Sequence, residues 1–149
     1  MSAAGGAGSR ALGLDPGTVR IGVAVSDELH LAAHGLESIP AHPVAGVVEA
    51  VKALIRDYNV TEIVVGLPVN MNGTLGPGAE AARALAARLE ALLPGGVCLA
   101  DERLTTVQAE RTLIEGNVSR RRRRELRDRL AAVLILQGHL DARHGATGT

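Results

Sequence analysis

The run Leu12-Gly13-Leu14-Asp15-Pro16-Gly17-Thr18-Val19-Arg20-Ile21-Gly22-Val23-Ala24-Val25-Ser26-Asp27 constrains this chain more than any other stretch. Two segments that alternate apolar with small or polar residues flank Asp-Pro-Gly-Thr, which reads as a strand, a tight turn and a second strand running back. Asp15 then sits where a strand ends. Gly17 lets the backbone come close to a bulky group, and a carboxylate beside it can hold a cation. A metal ion and a phosphate are the natural guests. The plainer reading is that Asp15, before Pro16, only forms the turn.

The rest of the chain supplies layers for such a hairpin. Leu29 to Ile39 holds a third strand, ending at the loop Pro40-Ala41-His42-Pro43. His30, His34 and His42 match no zinc spacing and are expected to be surface or loop residues. Val44, Val47, Val48, Val51, Leu54, Ile55 and Tyr58 keep the helical period. The β-branched run Thr61 to Pro68 suits a strand covered on both sides, placed beside the first. The polar loop from Pro68 to Gly78, with Asn70 and Asn72, begins where that strand ends, a position at which ligands of open α/β sheets gather. A simple turn at Asn72-Gly73 explains the same residues.

Ala79 to Leu93 reads as a helix with Ala82, Leu85, Leu89 and Leu92 inward. Val97 to Ala100 is a further strand, with Cys98 as strand packing, leading into Asp101-Glu102-Arg103. Thr105 or Thr106 could cap a helix reaching Leu113. A last helix runs from near Arg120 to about Ala142. Residues 10–143 are expected to form one domain between flexible segments 1–9 and 144–149.

Charge placement bears on the partner. The 149 residues carry a formal net charge of zero, so affinity for nucleic acid requires a local patch. Arg120, Arg121, Arg122, Arg123 and Arg124 form one, followed by Arg127 and Arg129. A solvated helix end is the plain alternative, but so much like charge repels itself and favours a polyanion. Tyr58 is the only aromatic besides histidine, which argues against recognition of single strands by stacking on aromatic faces. The lone Cys98 excludes an intrachain disulfide and fits a reducing cytoplasm. The N-terminal segment has neither a signal peptide's apolar run nor a spanning helix, so a soluble, cytoplasmic protein is expected.

Three acidic positions could meet in one pocket: Asp15 at a strand end, Asp101 and Glu102 at another, and Asp128 on the last helix. Carboxylates that close repel unless cations lie between them, and divalent ions clamping a phosphodiester are the usual reason for such an arrangement. Arg20, Arg103 and the arginine row would hold the backbone. Asp101 and Glu102 could instead pair with Arg103. Asp128 follows Arg124 by one helical turn, a surface ion pair worth about 0.3–0.5 kcal/mol.

Four motifs in order resemble the YqgF/RuvX family of the RNase H-like superfamily, the Holliday junction resolvases. They are Leu14 to Asp27, Ile63 to Gly73, Asp101-Glu102-Arg103-Leu104-Thr105-Thr106, and Asp128 to Gln137. The resemblance runs from about Leu12 to Leu140. It implies an α/β RNase H-like fold with a five-stranded mixed sheet flanked by helices, and a nuclease centre using Mg²⁺ or Mn²⁺. By similarity Asp15 is the first-strand metal ligand, Asp101 or Glu102 the second acidic position, and Asp128 the helix acid. Neighbours on a strand point to opposite faces, so only one of Asp101 and Glu102 can face the metal. The tasks implied are resolution of branched DNA and trimming of the 5′ end of precursor 16S rRNA, by a monomer or a homodimer. This chain departs from the family pattern at Pro16, where many members carry an aromatic, and at Arg127, where an apolar residue is usual.

Two rivals start from the same residues. Asp-x-Gly-Thr before an alternating strand also resembles the phosphate loop of the actin-like kinases and heat-shock ATPases, which use two such domains where this chain has one. A non-catalytic nucleic-acid-binding module of the same fold is the other.

Overall fold

Side-chain alternation along the strands decides what each covering helix can reach. The computed structural model describes residues 8–68, 77–101 and 120–147, with the backbone alone for Pro77, 120–128 and 144–147. Strands β1 (Arg10–Pro16) and β2 (Arg20–Ser26) form the expected hairpin, with Leu12 opposite Val25 and Asp15 opposite Gly22. β3 (Ala33–Pro40) pairs with β2, while β4 (Val60–Leu67) runs parallel to β1 and β5 (Val97–Asp101) parallel to β4. The order is β3-β2-β1-β4-β5, so the five-stranded mixed sheet is centred on β1.

β3 starts at Ala33 rather than near Leu29 because Asp27 closes a turn first. Its carboxylate accepts the Leu31 N–H at 2.7 Å and the Ala32 N–H at 3.3 Å. These bonds, the one to Leu31 foremost, hold the Asp27 carboxyl below the usual carboxylate range.

Helices α1 (Val44–Tyr58), α2 (Pro77–Leu92) and α3 (Arg120–Thr147) cover the sheet. α1 has the bounds its periodicity predicts, and Asn59 ends it in the left-handed region at φ 53°. α3 continues past Ala142 into the segment expected as a tail. Among the described residues no helix is long and apolar enough to cross a membrane.

Leu12, Leu14, Val23, Val25, Ile63 and Val65 point to one face, where they meet α1 and α2. Ala11, Ala24 and Val64 point to the other and meet Ala132, Ile135, Leu136 and Leu140 of α3. The α3 face is built from small residues, so the helix lies close on the sheet. A Cβ on Gly13 would stand 2.8 Å from Leu136 Cβ and 3.3 Å from the Ala132 carbonyl oxygen. Buried Ser26 ties β2 to β1, its hydroxyl accepting the Ala11 N–H at 2.8 Å and donating to the Asp27 carbonyl at 2.9 Å.

At the N-terminal end of β4, Glu62 gathers cationic and imidazole groups from distant parts of the chain. It is ion-paired with Arg143 of α3, and His139 Nε2 and His30 Nδ1 stand 3.5 Å and 3.6 Å from its carboxylate. His30 Nε2–H donates to the Ser9 carbonyl at 3.1 Å, so this histidine ties Ser9 to the β2–β3 turn. Cys98 shares this end. It lies in β5 as expected but is exposed rather than packed, and partial burial of the thiol, then the Glu62 carboxylate, pushes its pKa up against the opposing pull of Arg143.

Three outcomes follow from this packing. Gly13→Val is expected to destabilise the protein by about 1–3 kcal/mol, since α3 must lift from the sheet; a thermal melt that matched wild type would contradict the close approach. Glu62→Gln should lower the melting temperature and also raise the alkylation rate of Cys98 at pH 8, the thiolate being freed of a neighbouring negative charge. For Asp27 the folded pKa lies below the unfolded one, so its contribution is present above about pH 4 and is lost as pH falls through the lowered value. Asp27→Ala should remove that acid-side slope from the stability profile.

Candidate functional site

Asp15 lies half-buried at the carboxyl end of the central strand. Gly13 and Ala11, two and four residues before it, face α3, so alternation puts Asp15 on the same face. Its neighbour across β2 is Gly22. On the other side the register reaches Leu14–Val65, and one step further along β4 is Gly66, which pairs with Ala100 of β5. The strand positions flanking Asp15 therefore carry no side chains, and the next one out carries a methyl group. Within the sheet, the α3 face around this carboxylate is therefore built of backbone and one methyl group. Sequence reading missed Gly22 and Gly66; the signal was a glycine in each of two otherwise β-branched strands, a mark of close approach by a ligand or another backbone.

Ala132 and Leu136 sit over Gly13, and position 128 lies on that same stripe of α3, one turn nearer the end of β1 where Asp15 stands. The side chain of Asp128 lies outside the description. The next residue, Arg129, lays its stem across β3, with Cγ 2.4 Å and Cδ 2.8 Å from where a Cβ on Gly35 would be. Arg120 to Arg124 form the first turns of α3, about two turns before position 128 and further out past the strand ends.

Arg20 opens β2 at the same end of the sheet, and its Nε–H donates to Ser38 Oγ at 2.9 Å. Gly17 closes the β1–β2 turn, its N–H donating to the Arg20 carbonyl at 3.0 Å, and a Cβ there would stand 2.5 Å from that oxygen. Asp101 ends β5, exposed. Ala100 packs toward α3 and Val97 toward the α1 and α2 side, so alternation sends Asp101 to the face away from Asp15. Glu102, Arg103, Asn70 and Asn72, together with the expected helix at Thr105 to Leu113, lie outside the described residues. No group of three metal-ligating side chains occurs among the described residues. Asp15 brings hard carboxylate oxygens to the end of the central strand, which fits a small oxygen-seeking divalent ion rather than a soft one.

This architecture, a mixed sheet centred on β1 with an acid at that strand's end under a C-terminal helix, defines a RuvC-like α/β fold. Thermus thermophilus RuvC in complex with a Holliday junction superposes with a TM-score of 0.55 at 21% identity, covering 92% of this chain and 96% of that one. The chain belongs to the RuvX family, described as Holliday junction resolvase, whose model matches residues 9–142. A protein of Moorella thermoacetica named as a pre-16S rRNA nuclease is 54% identical over 132 residues, covering 89% of this chain and 94% of its own. A Bacillus cytotoxicus protein of the same name is 50% identical over 136 residues, covering 90% and 99%.

Proposed function

We propose that this chain is a divalent-metal-dependent endonuclease that hydrolyses phosphodiester bonds in structured nucleic acid, with precursor 16S rRNA as the substrate. The observation that carries this is the carboxylate of Asp15, on the α3 face at the end of the central strand and flanked in the sheet by the glycine positions 22 and 66. Relatives of about half-identical sequence named for pre-16S rRNA cleavage support the substrate. The family's description makes a four-way DNA junction the second substrate to test. Symmetric cutting of a junction requires a two-fold dimer, whereas processing an RNA end does not.

Asp15, Asp128 and one acid of the Asp101-Glu102 pair would hold Mg²⁺ or Mn²⁺. Asp101 belongs to the face away from Asp15, so the role falls to Glu102 within the pair. Such ions supply charge neutralisation at the phosphate and a more acidic water. The chain's own residues do the rest. Arg20, beside the turn, takes a phosphate oxygen near Asp15. The Arg120 to Arg124 row, where α3 projects past the sheet, and Arg103 hold the phosphodiester backbone, contacts that fix register without reading sequence. Gly17 keeps the turn low enough for the backbone to pass.

Asp15→Asn should reduce cleavage of a labelled precursor 16S RNA fragment by at least about a thousandfold, with binding retained. Glu102→Gln should match it, while Asp101→Asn should stay within about tenfold of wild type. The same three variants assayed on a four-way DNA junction separate the two substrates. Cleavage that survives Asp15→Asn on both would overturn the nuclease reading.

A further inference from the structure

A second feature lies at the same end of the sheet but on its other face. Between α1 and α2 a cavity of about 200 Å³ opens beside the β1–β2 turn. Buried Ile21, Val47 and Leu85 are among the residues that line it. It exists because α2 presents Ala81 and Ala84, one turn apart and both too short to close the gap to α1. Pro16 and Gly17, the two residues after Asp15, line it too, so only the β1–β2 turn separates it from Asp15. Its polar groups are two exposed side chains, His42 and Arg88. The imidazole is fixed in place by its Nε2–H, which donates to the Thr18 carbonyl at 3.1 Å.

We infer that this cavity receives one unpaired base of the nucleic-acid strand cleaved at Asp15, an inference that rests on the nuclease reading and extends it. Apolar walls with a cationic rim complement a flat base joined to a phosphate, and the space is of a size for a base rather than for a folded peptide segment. A strand with its phosphate at Asp15 needs only to cross Gly17 for a neighbouring base to enter. Arg88 then meets a phosphate of that strand, and His42 faces the base edge. The scarcity of aromatic residues finds its counterpart here. Aliphatic and prolyl surfaces grip both faces of a base by dispersion, where other proteins stack it on aromatic rings. The substrate is accordingly unpaired at this nucleotide, as RNA commonly is in loops and ends where bases splay out.

The test is equilibrium binding, in EDTA, of a short labelled RNA strand in which one nucleotide after another is made abasic. Wild type is expected to lose about tenfold in affinity at one position. Ala84→Leu, which fills the cavity from an exposed helix position, should bind the intact strand about tenfold more weakly and be indifferent to the abasic site at that position. Arg88→Ala changes an exposed side chain and leaves the buried residues intact; its affinity loss should shrink as salt is raised. An abasic scan without a sensitive position, or one equally sensitive in Ala84→Leu, overturns the inference. So does a dimer, seen by sedimentation, that Ala84→Leu dissociates, because the cavity would then hold a side chain of a second copy. Asp15-dependent cleavage with a flat abasic scan removes the pocket and leaves the nuclease. A position-specific scan with cleavage indifferent to Asp15 does the reverse.

Discussion

The close seating of α3 on β1 is the contact on which the rest depends. Gly13 under Ala132 and Leu136 leaves no room for a side chain, and the surrounding face is made of Ala11, Ala24 and Val64. A helix held that near a strand brings its next turn outward, at position 128, to the strand's end at Asp15. The packing that stabilises the core is therefore also what sets the distance between two acids far apart in sequence. Helix and strand periods come into step here, since about four helical residues cover the rise of two strand residues.

The two sheet faces differ in chemistry because they differ in side-chain size. Branched and leucine side chains on the α1 and α2 face keep those helices further from the sheet and build most of the core. Where α2 turns to alanine the filling stops, and a cavity remains beside the turn that follows Asp15. The face toward α3 is thin and carries the acid. Gly17, at the crest between them, is the point over which a polymer strand can touch both.

The opposite end of the sheet has a different task. Glu62 draws together Arg143 and His139 from α3 and His30 from the β2–β3 turn, fixing the C-terminal half of α3 while its arginine-rich start extends past the strand ends. A helix clamped at one end and loaded with like charge at the other is suited to meeting a polyanion, since phosphates relieve the repulsion that the arginines exert on one another.

Much of this was legible in the sequence. Period-two and helical patterns located the hairpin, α1, β4, α2 and β5 within a few residues, because burial of one face leaves a periodic trace in the residues themselves. The Asp15 turn and the arginine row were legible for the same local reason. Other features were not. The acids at Asp101 and Glu102 look equivalent in the chain, and only the β4–β5 register assigned Asp101 to the face away from Asp15. The glycines in β2 and β4 left a local trace, but their meeting beside Asp15, the cluster around Glu62 and the cavity under Arg88 join residues far apart in the chain, which no local pattern could announce. The sequence determined which segments become strands and helices and which residue types could do chemistry. The tertiary structure alone decided which of those side chains share a face, because strand register and helix seating are settled by packing across the whole sheet.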